Sequence, residues 1–162
     1  MMRLVIGNRE ARVGVISDTH GLLRPWALTA LKGADLIVHA GDVGAPEVLS
    51  GLTTIAPVRA VRGNADTETW AEHLPETAVV EVEGSRFYVL HDLEQLDLDP
   101  AVAVFGAVIS GHSHRPRIEK RRGVLYLNPG SAGPRRFQLP VSLAWLYVSD
   151  GRFRAELLTP DE

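Results

Sequence analysis

Short apolar runs alternate with polar clusters along most of the chain. Five of these runs end directly in a polar cluster, at residues 13–16, 36–38, 58–61, 87–90 and 107–109. Short runs of this kind, rich in β-branched residues and bounded by Gly or polar residues, are typical of buried β-strands. The pattern therefore predicts five strands whose carboxyl ends carry polar side chains.

The segments between the early runs can form helices. Residues 25–32 and 46–52 each begin with proline, which favours the first turn of a helix. Residues 67–73 and 100–105 are weaker helix candidates. Strand, helix and strand at this spacing predict a largely parallel sheet in the first half of the chain.

The second half of the chain has the pattern of antiparallel hairpins. Residues 79–83 and 86–90 flank Gly84-Ser85, and two later pairs of runs also flank glycine-containing turns, at 117–120 with 124–126 and at 142–148 with 153–158. Antiparallel hairpins in the second half of the chain and βαβ units in the first half indicate two sheets that pack together, with helices on the outside. We expect one α/β domain over residues 1–162.

The polar clusters contain five residues at regular intervals along the sequence. The separations are 24, 22, 27 and 21 residues, about one strand and its connection each, between Asp18, Asp42, Asn64, His91 and His112. The carboxyl ends of parallel strands lie on one edge of a sheet, where open α/β sheets bind ligands. We therefore expect these side chains to meet in one place.

Two of the clusters carry a pair of candidate metal ligands two residues apart. In an extended chain, Asp18 and His20 point the same way, as do His112 and His114. A carboxylate can bridge two cations, an Asn carbonyl is a neutral ligand, and imidazole suits Zn, Fe, Ni and Mn-like ions. The chain has no cysteine, so any metal must be held by oxygen and imidazole nitrogen.

Each motif alone has an ordinary structural explanation. Asp-x-His is most often a surface turn, Gly-Asp commonly marks a tight turn, and a lone His91 after a strand is more often an edge residue than a ligand. The conjunction of all of them favours a metal site. Of the remaining histidines, His39 is expected to support Asp42 or to cap its strand, and His73 to lie on the surface.

Composition changes this picture little. The chain has 162 residues, a net charge of −3 and a hydrophobic fraction of 45%, which fit a soluble globular domain and do not favour binding to nucleic acid or to a membrane surface. The apolar stretch at the start is too short for a signal peptide, and no run is long enough to cross a bilayer. We expect a cytoplasmic protein.

The motifs resemble, in order, those of the calcineurin-like metallophosphoesterases, most closely the small microbial phosphodiesterase branch. The similarity spans about residues 13–135 and is carried by Asp18-x-His20, Gly41-Asp42, Gly63-Asn64, His91, Gly111-His112-x-His114 and Asn128-Pro129-Gly130-Ser131 with Pro134-Arg135. The resemblance implies a four-layer α/β/β/α sandwich of two mixed β-sheets flanked by helices. It also implies two divalent metal ions, with Mn favoured and Ni, Fe or Zn as alternatives.

Carried over position by position, the resemblance assigns one ion to Asp18, His20, Asp42 and His114, and the other to Asp42, Asn64, His91 and His112. Asp42 would bridge the two. The implied reaction is attack on phosphorus by a hydroxide that bridges the ions. The candidate catalytic residues are Asp42, Asn64, His91 and Asp66, and activity should fall below about pH 6–6.5 because ligating imidazoles must be neutral.

Two positions depart from the family pattern. Larger members have histidine after Gly-Asn, where it helps to protonate the leaving group, whereas this chain has Ala65 followed by Asp66. This departure predicts weak turnover of monoesters. Many members have glycine after the histidine at position 91, whereas this chain has Asp92, which is expected to narrow or recharge the pocket.

Several positively charged residues could bind a small phosphoester substrate. Arg115 is the first of a basic cluster with Arg117, Lys120, Arg121 and Arg122, which could equally be a solvated hairpin turn. Arg135, with its neighbour Arg136, raises the same two possibilities. Trp26 could stack on an aromatic ester or belong to the core or a dimer contact.

Two functions of other classes compete with hydrolysis of a small phosphoester. Non-catalytic interaction modules share the family's fold but have lost metal ligands, whereas every ligand position is filled here. A nuclease is a minor alternative, since the chain is acidic overall. A homodimer stays open.

Overall fold

The computed structural model describes residues 1–7 and 9–160. The predicted single domain also includes residues 8, 161 and 162, which lie outside the described residues. The two α-helices in the described part are α1 (Pro25–Ala30) and α2 (Pro46–Thr53), and short 3-10 helices span Thr69–His73 and Leu93–Gln95. The strands are β1 (Met2–Leu4), β2 (Ala11–Ile16), β3 (Leu36–His39), β4 (Val58–Ala60), β5 (Thr77–Val82), β6 (Ser85–Leu90), β7 (Ala107–Ile109), β8 (Arg117–Arg121), β9 (Val124–Asn128), β10 (Leu143–Ser149) and β11 (Arg152–Leu158).

The strands form two mixed sheets, as the resemblance implies. The five-stranded sheet has the order β11-β10-β2-β3-β4, in which β2, β3 and β4 are parallel and β10 is antiparallel to both of its neighbours. The six-stranded sheet has the order β1-β5-β6-β7-β9-β8, in which β6, β7 and β9 are parallel. The predicted hairpins are present as β5–β6, β8–β9 and β10–β11.

The central strands are apolar on both faces because each face packs against another layer. In β3, Leu36 and Val38 face the core between the sheets, while Ile37 packs in a second core under the helices. In β6, Phe87 faces the core between the sheets and Tyr88 faces a third core on the other side. Strands buried on both faces form continuous apolar runs, which is the pattern seen in the sequence.

The two outer layers differ in construction. The five-stranded sheet is covered by the two α-helices, whose buried side chains are Ala27, Val48 and Leu52, and by Leu31, which directly follows α1. The six-stranded sheet is covered by a 3-10 helix and turns, whose apolar side chains include Leu93, Leu96, Leu98 and Phe105. The four-layer fold is therefore present, with a thin fourth layer that holds no α-helix among the described residues.

The helix predicted at residues 100–105 is wrong. Phe105 N–H donates to the Pro100 carbonyl at 2.9 Å, which closes a single turn. Val104 has a φ of +61°, a conformation that β-branched residues rarely adopt and that ends any helical path. The weak helix predicted at residues 67–73 is a 3-10 helix, Thr69–His73.

β1 is a strand that the sequence pattern did not indicate. It has only three residues, and it pairs in parallel with β5, some 80 residues away in the chain. No helix of the described residues is long and apolar enough to span a membrane.

Candidate metal centre

The polar clusters follow the carboxyl ends of β2, β3 and β4 in one sheet and of β6 and β7 in the other. The site therefore lies where the edges of the two packed sheets meet. All seven predicted ligand residues contribute to it: Asp18, His20, Asp42, Asn64, His91, His112 and His114.

One group of potential ligand atoms belongs to Asp18, His20 and His114, and these atoms lie within 4.8 Å of one another. Asp18 Oδ1 is 3.4 Å from His114 Nε2 and 3.9 Å from His20 Nε2. The Asp18 side chain is fully buried, yet neither its Oδ1 nor His20 Nε2 has a hydrogen-bond partner among the described residues.

A second group consists of Asp18, Asp42 and His91, again with ligand atoms within 4.8 Å of one another. Asp42 Oδ2 is 3.2 Å from His91 Nε2 and 3.7 Å from His20 Nε2. Asp42 Oδ2 therefore lies between the imidazoles of the two groups, the position that a bridging carboxylate requires.

His112 and Asn64 complete the cluster on its solvent side. His112 Nδ1 lies 3.0 Å from Asn64 Oδ1 and 3.3 Å from His91 Nε2. The His112 side chain is 45% exposed, compared with 5% for His91. The site is thus buried on one side and open to solvent on the other.

Five of the seven predicted ligands adopt a positive φ that L-residues rarely take: Asp18 (+55°), His20 (+45°), Asp42 (+56°), His112 (+71°) and His114 (+63°). Each such residue costs roughly 1–3 kcal/mol, and strain of this kind concentrates at functional sites. The sharp turns redirect the chain at the strand ends, so that ligands from separate strands face one point.

Two glycines next to the ligands are required by close packing. A Cβ at position 63 would overlap the Asp42 carboxylate, and a Cβ at position 111 would overlap the Ser17 hydroxyl and approach Asp18 Oδ2 to 2.7 Å. Gly63 and Gly111 therefore allow neighbouring strand ends to approach closely enough for their side chains to share a site.

Hydrogen bonds fix the two carboxylates. Asp18 Oδ2 accepts the Ser17 hydroxyl at 2.7 Å and the His112 N–H at 3.1 Å, which leaves Oδ1 directed into the site. Asp42 Oδ1 accepts the Ala65 N–H at 2.8 Å, which leaves Oδ2 toward the histidines. Each carboxylate thus keeps one oxygen for a ligand.

The tautomer of His91 follows from its backbone contact. His91 Nδ1 lies 2.8 Å from the Ala40 carbonyl, so this nitrogen carries the proton and donates. When the ring is neutral, Nε2 keeps a lone pair toward the carboxylates. A second ring nitrogen anchored in this way is the usual arrangement of a metal-binding histidine.

His39 is a buried, neutral histidine that braces the site without entering it. The Thr19 hydroxyl donates a hydrogen bond to the Val43 carbonyl. Its oxygen therefore accepts a hydrogen bond from His39 Nε2–H at 2.9 Å. His39 Nδ1 accepts the Gly41 N–H at 3.1 Å. Complete burial lowers the pKa of His39 to about 3, so the ring holds the Asp42 loop as a neutral group, in line with the supporting role predicted for it.

Asp66 lies behind the candidate ligands. Its carboxylate accepts the backbone N–H groups of Val43, Gly44 and Gly63 at 2.9–3.1 Å, and its side chain is buried. These contacts tie the loop after β3 to the loop after β4. The sequence names Asp66 as a candidate catalytic residue next to Ala65, but it does not reveal these contacts, because the partners on the other loop lie more than 20 residues away.

Opposing effects set the proton affinities of the site. Burial raises the pKa of Asp18. Burial also acts to raise the pKa of Asp42, but the His91 and Ala65 hydrogen bonds outweigh it and lower that pKa to about 2. Burial opposes protonation of His91, but the Asp42 and Asp18 carboxylates raise its pKa. Burial lowers the pKa of His114.

The predicted substrate-binding arginines lie at different distances from the centre. Arg115 is exposed and lines a cavity of about 410 Å³ together with His112. Arg135 is exposed and donates to a backbone carbonyl of its own loop. Its neighbour Arg136 is close enough for its charge to help lower the pKa of His114.

The rest of the basic cluster is an exposed hairpin. Glu119 pairs with Arg117 and with Arg121, and Arg122 lies 3.8 Å from Asp99. Trp26 is partly buried against the core under the helices, so its ring packs there. A cavity of about 560 Å³ lies at the opposite ends of the strands, next to the turn between β10 and β11.

The donor set suits divalent cations. The site offers carboxylate oxygens, an amide oxygen and imidazole nitrogens, the ligands that Mn, Fe, Ni and Zn accept. Asp18 Oδ1 and His20 Nε2 are buried polar atoms that lack hydrogen-bond partners in the described part of the chain. A cation beside them would satisfy both.

Comparisons with known proteins agree with this geometry. The sequence pattern of the calcineurin-like phosphoesterase superfamily domain matches residues 12–151. A probable metallophosphoesterase from Methanothermobacter thermautotrophicus is 33% identical over 158 residues, which cover 90% of this chain and 91% of the relative. A phosphodiesterase from Methanocaldococcus jannaschii is 28% identical over 74% of this chain and 82% of its own length.

Solved structures of other proteins share this fold. Vacuolar Protein Sorting 29 from Cryptosporidium parvum superposes with a TM-score of 0.73 at 19% identity, over 94% of this chain and 99% of that one. These comparisons confirm the family and the fold class that the motifs indicate.

Proposed function

The chain belongs to the calcineurin-like phosphoesterase superfamily, and on this basis we propose that it hydrolyses phosphodiesters with two divalent cations. One observation carries the proposal. Within the described part of the chain, Asp18 Oδ1 is buried without a hydrogen-bond partner and faces the Nε2 atoms of His20, His91 and His114 at 3.4–3.9 Å. A carboxylate oxygen at that depth is costly unless a positive charge compensates it.

We assign the ligands to two sets joined by Asp42, as the family resemblance implies, although Asp18 is the residue common to both groups of clustered ligand atoms. One cation would be held by Asp18, His20, Asp42 and His114, and the other by Asp42, Asn64, His91 and His112. The position of Asp42 Oδ2 between His20 and His91 supports the bridging role. Oxygen and imidazole ligands without thiolate fit manganese, iron, nickel and zinc, and manganese is the choice that the family resemblance implies.

Two cations in such a site act as Lewis acids, lower the pKa of water and stabilise charge on the phosphoryl oxygens. The chain's own residues hold the site ready for this chemistry. Hydrogen bonds from Ser17 and Ala65 fix the two carboxylates before substrate binds. Asp66 serves the reaction by holding the loops of Asp42 and Asn64 in place. Arg115, which lines the same cavity as His112, is the proposed contact for an oxygen of the bound ester.

A diester is the preferred substrate for two reasons. Two cavities of about 490 and 410 Å³ meet the site, one lined by Asn64 and His91 and the other by His112, and Asp92 lines both. A phosphodiester has an ester group on each side of phosphorus, and each cavity is large enough for one. Ala65 offers no proton to a poor leaving group, which disfavours simple monoesters. The archaeal relative named as a phosphodiesterase supports the same choice.

The interaction-module hypothesis is weaker, because every predicted ligand position is filled and the ligands converge. The fold alone does not decide between the two, since Vacuolar Protein Sorting 29 shares it. A cytoplasmic location, a homodimer and the extent of the domain stay predictions.

The test is metal-restored hydrolysis. The protein is stripped with chelator, resupplied with Mn²⁺ or Ni²⁺, and assayed with bis-p-nitrophenyl phosphate, with p-nitrophenyl phosphate as the monoester control. Hydrolysis of the diester that is lost in Asp42→Ala, with a weak monoester rate, is the expected result. Tight binding of two ions without hydrolysis of either ester would favour the interaction module instead.

A further inference from the structure

Asp92 occupies a position between the metal centre and a 3-10 helix. Its Oδ1 accepts the Glu94 N–H at 3.1 Å and caps the helix Leu93–Gln95. This contact fixes the carboxylate, so that Oδ2 faces His112 Nε2 at 3.9 Å. Within the described part of the chain, no other carboxylate lies within 4.0 Å of a His112 ring nitrogen.

His112 is a candidate ligand whose exposed ring needs such a partner. Its Nδ1 faces Asn64 and His91 within the site, so this nitrogen has to stay unprotonated to bind a cation. The proton must then sit on Nε2. By contrast, His91 is anchored through its second nitrogen by the Ala40 carbonyl. The His112 ring is 45% exposed, so less packing restrains it.

We propose that Asp92 is a positioning residue that orients His112 and holds its proton on Nε2, and thereby tightens the second cation site. The inference rests on the proposed two-cation function. A carboxylate on the outer nitrogen of a metal-binding histidine fixes the ring orientation and tautomer and makes the ring a better ligand. A shift of about 1 Å converts the 3.9 Å approach into a hydrogen bond of normal length, and the exposed ring is free to make it.

Asp92→Asn separates this role from helix capping. The cap needs an acceptor for the Glu94 N–H, so the amide oxygen takes the place of Oδ1. The amide nitrogen then faces His112 Nε2, where it cannot accept a proton. The variant keeps the cap and removes the acceptor.

Asp99 provides a matched control. Its Oδ1 accepts the Ala101 N–H at 3.0 Å and caps a turn in the same outer layer. Its nearest basic group is Arg122 at 3.8 Å, not a histidine of the site. Asp99→Asn therefore makes the same chemical change at a cap without touching the candidate ligands.

The experiment is titration of the chelator-stripped proteins with Mn²⁺ by calorimetry, with a thermal melt of each. Wild type should bind two ions. Asp92→Asn should keep the first affinity within about twofold and weaken the second by about 10–100-fold, the usual effect of losing such a partner. Asp99→Asn should keep both affinities, and the melting temperatures of the two variants should agree.

The outcomes separate the inference from the proposed function. Two ions bound with unchanged affinities in Asp92→Asn would overturn the role of Asp92 and leave the two-cation site intact. Equal weakening in Asp99→Asn would also overturn it, because the effect would then come from the outer layer. Fewer than two ions in wild type would refute the two-cation proposal itself.

Discussion

Replacement of His39 by glutamine should change how stability depends on pH. Burial lowers the pKa of His39 to about 3, compared with about 6.5 in an unfolded chain. Between these values the unfolded state binds a proton that the folded state excludes, so the free energy of unfolding falls as pH falls. From pH 7 to pH 4 this linkage costs the wild type about 3 kcal/mol at about 1.4 kcal/mol per pKa unit.

His39→Gln removes this titration and one acceptor. The amide keeps a donor for the Thr19 hydroxyl but leaves the buried Gly41 N–H without the ring nitrogen that accepts it. The loss should cost about 1–3 kcal/mol at pH 7.5. At pH 4 the deficit should disappear or reverse, because the variant escapes the cost of excluding a proton.

The test is urea unfolding of the two chelator-treated proteins, followed by tryptophan fluorescence at pH 7.5, 6, 5 and 4. It measures the difference in unfolding free energy between wild type and His39→Gln. Comparison of the two proteins cancels the titration of all other groups. A difference in unfolding free energy that stays constant over this pH range would refute the buried neutral state of His39.

Three further predictions concern the site and its surroundings. Gly63→Ala places a methyl group against the Asp42 carboxylate, and hydrolysis of bis-p-nitrophenyl phosphate should fall by about 100-fold or more; full activity would contradict the packing argument. The nearby carboxylates raise the pKa of His91, so protons compete with the cation for this ring. Mn²⁺ affinity and hydrolytic activity should therefore fall below about pH 6.5. Activity that stays constant down to pH 5 would count against this. Asp35→Asn weakens the acceptor of the part-buried Arg12 N–H and should lower the unfolding free energy by about 0.5–1.5 kcal/mol at pH 7. Since the pKa of Asp35 is lowered, this difference should shrink only as pH falls below about 3.9. Urea unfolding at pH 7 and at a pH below about 3.9 checks it.

The sequence predicts the elements whose apolar faces are buried on both sides. β2, β3, β6 and β7 were each indicated by a continuous apolar run, and the polar residues after them mark the strand ends. The runs are visible because every residue of such a strand meets an apolar layer. β1 was not predicted, because its three residues are stabilised by pairing with β5, which is remote in the chain.

The outer layer was harder to predict because tertiary contacts decide it. Residues 100–105 have proline followed by apolar residues, a pattern that also fits a helix. In the structure Phe105 packs into the third core, and Val104 takes a positive φ to let it do so. Local propensity is a weak guide where one side chain must reach the core.

The candidate ligands could be predicted because residue type and spacing carry the chemistry. The contacts of their supporting residues could not be predicted, although a supporting role was expected for His39. Asp66 and His39 act on loops through backbone N–H groups, and these contacts exist only after the strands of the sheet are paired. The role of Asp92 likewise depends on a histidine 20 residues further along the chain.

Anomalous diffraction from crystals grown with Mn²⁺ tests the two-cation site most directly. The account predicts two peaks, one between Asp18, His20 and His114 and the other between Asn64, His91 and His112, with Asp42 touching both. A single peak, or peaks elsewhere on a protein that still hydrolyses the diester, would contradict it.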